Sequence, residues 1–212
     1  MNTRDQGDGF YRRYGKRLFD IALALPALIV LAPLMAALAV VVRVSQGPPA
    51  FFRQRRPGWH HRPFTLYKFR TMAEVRDGQD PCSSDAERLT PVGRTLRRLS
   101  LDELPEFLNV LRGDMSLVGP RPLLMQYLER YTPEQARRHD TRPGMTGWAQ
   151  VNGRNAVNWE ERFGFDVWYV DHVSLRLDVL ILARTVWKVL KREGISQPEE
   201  ATMREFMGRG DR

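Results

Sequence analysis

The sequence predicts a helix-rich α+β protein, monotopic on a membrane through an N-terminal re-entrant helix, with interfacial amphipathic helices and a small β-sheet. Three observations lead there: an uncharged apolar run from Ile21 to Val42, basic residues on both of its flanks, and two short alternating stretches set among helical patterns further on.

The apolar run covers about 22 residues, roughly 33 Å as a helix, enough to cross the hydrocarbon core of a bilayer. A cleaved leader fits poorly, because Asp20 abuts the run and no small-residue cleavage site follows cleanly. Arg12, Arg13, Lys16 and Arg17 precede the run, and Arg43, Arg53, Arg55 and Arg56 follow it. Loops rich in Lys and Arg stay on the cytoplasmic side, so a straight crossing would strand one basic flank outside. Pro26 and Pro33 each remove a backbone donor, and a helix that bends near Pro33 and returns keeps both flanks on one face. A straight span and the buried helix of a soluble protein are the alternatives.

Beyond the turn Gln46-Gly47-Pro48-Pro49, Ala50 to Gln54 reads as a strand and Phe64 to Met72 as a second. Ala73 to Glu87 is polar, contains Gly78 and Pro81, and reads as a mobile loop. Thr90-Pro91 opens a helix, with Thr as the cap and Pro in the first position. Ser100-Leu101-Asp102-Glu103 has the form of a capping box, followed by an apolar stripe of Leu101, Leu104, Leu108 and Leu111 that Gly113 ends. Pro105 sits awkwardly one turn into that helix. Leu177 to Lys191 mixes apolar residues with Arg184, Lys188 and Lys191, as a helix on the core or on a bilayer surface does.

The 33 Lys and Arg against 25 Asp and Glu give a net charge of +8, which favours phosphates, nucleic acid or acidic lipid as partners. Cys82 is the only cysteine, so an intramolecular disulfide, a thiolate cluster and a redox pair are excluded. Asp102 and Glu103 fall in a helix first turn, where acids are common for structural reasons alone. Two carboxylates beside a bound phosphate repel it unless cations intervene. Mg²⁺ and the surrounding arginines are the natural choices, since Mg²⁺ is held by one or two carboxylates together with phosphate oxygens and water. Arg97 stands one turn before the pair, and Arg121, Arg142 and Arg154 stand on or beside stiff turns. Such turns are often merely structural, but several together suggest an oxyanion site. His60, His61, His139 and His172 have no zinc spacing, and there is no Walker loop, dinucleotide fingerprint or nucleophile elbow.

The residues Lys16 to Asp20, Tyr67-Lys68-Phe69-Arg70-Thr71-Met72, Ser100 to Pro105, Gly113 to Pro122, Arg142 to Trp148 and Val151 to Asn155 together resemble the bacterial sugar transferase family, the monotopic phosphoglycosyl transferases. The resemblance covers nearly the whole chain. It implies residues 1–45 as an N-terminal segment with a re-entrant membrane helix broken at Pro33, and residues 46–212 as a cytoplasmic catalytic domain on the bacterial inner membrane. The family commonly has serine before the breaking proline, where this chain has Ala32, and Pro26 is a further departure.

The resemblance also implies that a UDP-sugar gives its sugar 1-phosphate to undecaprenyl phosphate. Asp102 would be the nucleophile forming an aspartyl phosphosugar, and Glu103 would help it hold Mg²⁺ or act as a base. Lys68, Arg97, Arg121 and Arg154 would bind substrate phosphates. The C-terminal Ala201 to Phe206 is similar to the small members that use UDP-diacetylbacillosamine, so an N-acetylated donor is expected. A non-catalytic module binding anionic lipid explains the charge and the apolar run but not the acidic pair amid arginines. Nucleic-acid binding leaves the apolar run unexplained and is not expected. The oligomeric state is open.

Overall fold

The computed structural model describes residues 9–73, 88–153, 158–191 and 205–208. Helix α1, Lys16–Gln46, follows a π-helical turn at Tyr11–Gly15 and carries Pro26 and Pro33 inside it. Strands β1, Phe51–Pro57, and β2, Pro63–Phe69, pair antiparallel. Helix α2, Pro91–Arg98, leads through a 3-10 turn at Leu101–Glu103 into α3, Glu106–Arg112. Strand β3, Ser116–Val118, lies parallel to β4, Gly144–Thr146, with the single-turn helix α4, Pro133–Ala136, between them. The short helix α5, Trp148–Asn152, then α6, Trp159–Asp171, and α7, Leu175–Lys191, complete the order. The expected small sheet is thus realised as two separate two-stranded pairs.

The two ends of α1 are fastened to the domain while its middle is bare. At the first end Asp20 is buried and accepts from the Ser116 hydroxyl at 2.9 Å and from the Leu117 N–H at 3.0 Å. Arg17 donates to the carbonyls of Val110 and Leu111, satisfying acceptors that the end of α3 leaves open. Ala24 is fully buried in the same core as Val110, Met115 and Leu117. At the other end Val42 is fully buried against Phe69 and Leu96, and Arg70 ties down the exit by donating to the Pro48 carbonyl at 3.2 Å. Between these ends Leu25, Ile29, Val30 and Leu34 are all exposed.

The strands and helix starts follow the expected chemistry with shifted bounds. The first strand extends beyond Gln54 to Pro57, and the second ends at Phe69 rather than Met72, where Met72 makes only an isolated bridge to Leu89. Thr90 caps α2 by accepting from the Gly93 N–H at 2.9 Å. Most of the expected loop lies outside the described residues. The capping box is corrected. Ser100 has φ 54, in the left-handed region, and makes no side-chain cap, while Glu103 turns away to two cations. Pro105 explains why: it lacks the N–H that a continuous helix from Leu101 would need, so the chain makes one 3-10 turn and starts afresh.

Candidate functional site

Four elements converge on the acidic pair. The 3-10 turn at Leu101–Glu103 presents Asp102 and Glu103, β2 supplies Lys68, the turn after β3 supplies Arg121, and the first turn of α3 adds Glu106. Each placement has a local cause. Helix α2 lies so close to the chain at Thr71 that a β-carbon on Gly93 would stand 1.8 Å from the Thr71 carbonyl oxygen. That contact brings Arg97 over Thr71, whose hydroxyl accepts from Arg97 Nε at 3.1 Å. A β-carbon on Gly144 would stand 2.0 Å from the Gly119 nitrogen, so the turn carrying Arg121 can close only on a bare α-carbon. Behind it, Arg138 donates to the Arg121 carbonyl at 2.7 Å and is itself paired with Asp166 at 2.7 Å.

The adjacent carboxylates meet opposite surroundings. Glu103 Oε1 accepts from Lys68 Nζ and from Arg121 Nη2, each at 2.6 Å. Burial alone would raise its pKa, but these two cations outweigh it and hold Glu103 well below the usual carboxylate range. Asp102 is 8% exposed and accepts no hydrogen bond from a described residue. Burial, reinforced by the Glu103 charge, pushes its pKa up, against the pull of Lys68, Arg121 and Arg97. Glu106 is 2% exposed and lies 3.1 Å from Lys68, sharing that ammonium with Glu103. Burial and the Glu103 charge push Glu106 up to about 7.

This arrangement suits an incoming phosphate. Asp102 is a buried carboxylate whose ionised form is favoured by the charges of Lys68, Arg121 and Arg97, a setting in which a carboxylate can act as a nucleophile. Among the described residues no group of three metal-binding side chains occurs, so an all-protein cage is absent there. Two adjacent carboxylates, Asp102 and Glu103, are the kind of donor set that Mg²⁺ takes when phosphate oxygens and water complete its shell.

Of the residues singled out in the sequence, Asp102, Glu103, Lys68 and Arg121 are brought together, and Arg97 is near enough for its charge to favour ionised Asp102. Arg154 lies outside the described residues. Sequence reasoning missed Glu106, three residues beyond Glu103, because Pro105 obscured the register that aims both at Lys68.

The family description "Bacterial sugar transferase" matches residues 11–192. The chain is 56% identical over 196 residues to the uncharacterized sugar transferase EpsL of Bacillus subtilis, covering 92% of this chain and 97% of that protein. It is 42% identical over 199 residues to the undecaprenyl-phosphate galactose phosphotransferase of Salmonella typhimurium, covering 86% of this chain and 42% of that longer protein. To the UDP-N-acetylgalactosamine-undecaprenyl-phosphate N-acetylgalactosaminephosphotransferase of Aeromonas hydrophila it is 39% identical over 183 residues, covering 82% of this chain and 43% of the relative.

Proposed function

This chain belongs to the bacterial sugar transferase family, and we propose that it moves a sugar 1-phosphate from a UDP-sugar to undecaprenyl phosphate, giving an undecaprenyl diphosphosugar and UMP. The observation that carries the reading is the Asp102 carboxylate, buried and without a hydrogen bond from a described residue, yet under the charges of Lys68, Arg121 and Arg97. An Asp102 oxygen attacks the phosphorus that bears the sugar. The bond from that phosphorus to the UMP oxygen breaks, and UMP leaves with the electron pair. An oxygen of undecaprenyl phosphate then attacks the same phosphorus and returns Asp102 as a carboxylate. Lys68, Arg97 and Arg121 align the phosphates and offset their charge, and Arg154 is assigned the same task by sequence.

Mg²⁺ held by Asp102 and Glu103 would supply charge neutralisation at the phosphate oxygens. The depressed pKa of Glu103 keeps it available as a ligand across the physiological range. An N-acetylated hexose, diacetylbacillosamine among them, is the donor class to test first, beside the galactose and N-acetylgalactosamine donors in the relatives' names.

The same reading places α1 in the cytoplasmic leaflet as a re-entrant helix. Arg17 and Val42 would be about 37 Å apart along an unbent helix. Yet Arg17 grips Val110, Val42 packs on Phe69, and Asn109, next to Val110, bonds the Tyr67 N–H on the strand that ends in Phe69. A bend between the anchored ends, where Pro26 and Pro33 stand, reconciles these contacts and lets the exposed apolar middle enter the lipid. In a Cys82→Ser background, cysteines at Phe10 and His60 should both resist an impermeant thiol reagent outside intact cells; labelling of one alone would indicate a straight span.

The activity is tested with detergent-purified protein, Mg²⁺, undecaprenyl phosphate and a panel of UDP-glucose, UDP-galactose, UDP-N-acetylgalactosamine and UDP-diacetylbacillosamine, by measuring UMP. Lipid-dependent UMP from at least one donor is expected. None from a panel that also includes the remaining common UDP-sugars would overturn the reading.

A further inference from the structure

Strand pairing puts a second cation on the face that carries Lys68. In the β1–β2 register Phe52 is opposite Lys68, Gln54 opposite Leu66 and Arg56 opposite Phe64. Directly opposed residues share a face of an antiparallel pair, so Arg56, Gln54 and Lys68 project to the side where Phe64 and Leu66 are buried. Arg56 and Lys68 stand four residues apart in register, about 13 Å along the strands before their long side chains extend.

Arg56 is a half-buried guanidinium that the protein leaves largely unanswered. Its Nη2 donates to Gln54 Oε1 at 2.6 Å, its Nε is buried with no partner, and no described carboxylate pairs with it. Two other arginines close by are matched to acids: Arg121 holds Glu103, and Arg138 holds Asp166. Burial, then repulsion from Arg121, lowers the Arg56 pKa to about 10, while Glu106 acts in the opposite direction. A guanidinium that is partly stripped of water, close to another guanidinium and without an acid, is costly in isolation and is relieved by an anion with oxygens to fill its fork.

Resting on the transferase reading above, we propose that Arg56 is a further phosphate-binding residue of this site, taking an oxygen of a phosphorylated substrate. The shared chemistry is a phosphate group, from either the diphosphate of the donor or the monophosphate of the lipid acceptor. Lys68 and Arg121 make their closest contacts with Glu103, whereas Arg56 brings donors that no described protein acid occupies.

The full chain in detergent is titrated with pyrophosphate at fixed ionic strength, and binding is read from thermal stabilisation. Arg56→Gln should weaken pyrophosphate binding by about tenfold or more, as the loss of a charged hydrogen bond does. Arg56→Lys should recover part of the loss, and Arg55→Gln, an exposed neighbour on the opposite face of the strand, should stay within about twofold of the parent. A folded Arg56→Gln protein that binds pyrophosphate as the parent does overturns the proposal. Should that variant not fold, parental pyrophosphate affinity in Arg56→Lys overturns it instead.

Two kinetic arms identify the source. Slower single-turnover UMP release without lipid assigns Arg56 to the donor, and unchanged release with a raised KM for undecaprenyl phosphate assigns it to the acceptor. Neither change, in a protein that turns over, also overturns the proposal. If the parent protein releases no UMP from any donor, the transferase reading fails and the pyrophosphate titration alone decides Arg56.

Discussion

Asp178 and Asp102 are both buried acids, and the protein treats them in opposite ways. Asp178 accepts from Tyr11 at 2.6 Å, from Lys16 at 2.6 Å and from Tyr169 at 2.7 Å, so its charge is answered within the fold. Asp102 accepts from no described residue, although three cations act on it. The first acid sews the start of α1 to α7, joining Lys16 to a residue 162 positions further along the chain. The second, on the proposed function, is left for a substrate phosphorus. A buried carboxylate is informative less by being buried than by whether its lone pairs are already taken.

The largest expected effect sharpens that contrast. Asp102→Asn should cut turnover by at least about a thousandfold, in the range that losing a nucleophile costs an enzyme. Its melting temperature should hold or rise, because an unpaired buried charge has been removed. No phosphosugar adduct should accumulate in mass spectra of the variant given donor alone. Undiminished turnover in this variant would falsify the assignment of Asp102 as nucleophile.

Asp178→Asn should do the reverse. Removing the charge leaves the Lys16 ammonium, 7% exposed at the side chain, without its acid and costs about 3 kcal/mol of stability. Turnover per folded molecule should stay within about twofold of the parent, since only the tie is lost. Thermal or denaturant unfolding beside the UMP assay separates the two outcomes. A variant that kept parental stability while losing turnover would erase the distinction between the two acids.

The pH profile gives a third check. Because the Asp102 pKa is raised, Asp102 takes up its proton at a higher pH than an ordinary aspartate does, and on the proposed mechanism a protonated Asp102 cannot attack. The acid limb of kcat/KM should therefore be displaced upward from the ordinary aspartate value, with activity rising with pH and then levelling. Glu103 should add no limb near neutrality, as Lys68 and Arg121 keep it ionised. Activity that stays flat down into the usual carboxylate range would argue that Asp102 is solvated in the working enzyme.

How much of this was legible in the sequence follows from the range of each interaction. The apolar stretch of α1 was plain because it is local and long. Thr90-Pro91 was plain because a cap and its first helical residue are neighbours. Asp102 and Glu103 were found, but their geometry was not: the capping-box pattern fits the letters, and only Pro105 and the left-handed Ser100 show why the turn is tighter. Helix α6 was missed although its signal was present, since Asn158 caps it by accepting from the Glu161 N–H at 2.8 Å. Strands β3 and β4 have three residues each and pair across a long separation, too little for periodicity to register. Arg56 looked like one member of a basic flank. Its direction depends on the register with β2, which no local pattern displays.

The smallest effect concerns Glu106, the acid that belongs to neither class. It touches Lys68, as a structural acid would, yet burial and the charge of Glu103 push it up to about 7. Its folded pKa is raised, so its contribution to stability is fully present below the unfolded value near 4.5 and is lost as pH rises through about 7. Glu106→Gln removes that titration and should gain on the order of 1 kcal/mol relative to the parent between acid and neutral pH, since each tenfold change in proton affinity is worth about 1.4 kcal/mol and the shared Lys68 returns part of it. Melting temperatures of both proteins across that window measure the difference. If the variant and the parent keep a constant gap at every pH, Glu106 titrates in the fold as it does in the unfolded chain, and Lys68 offsets its burial and the charge of Glu103 in full.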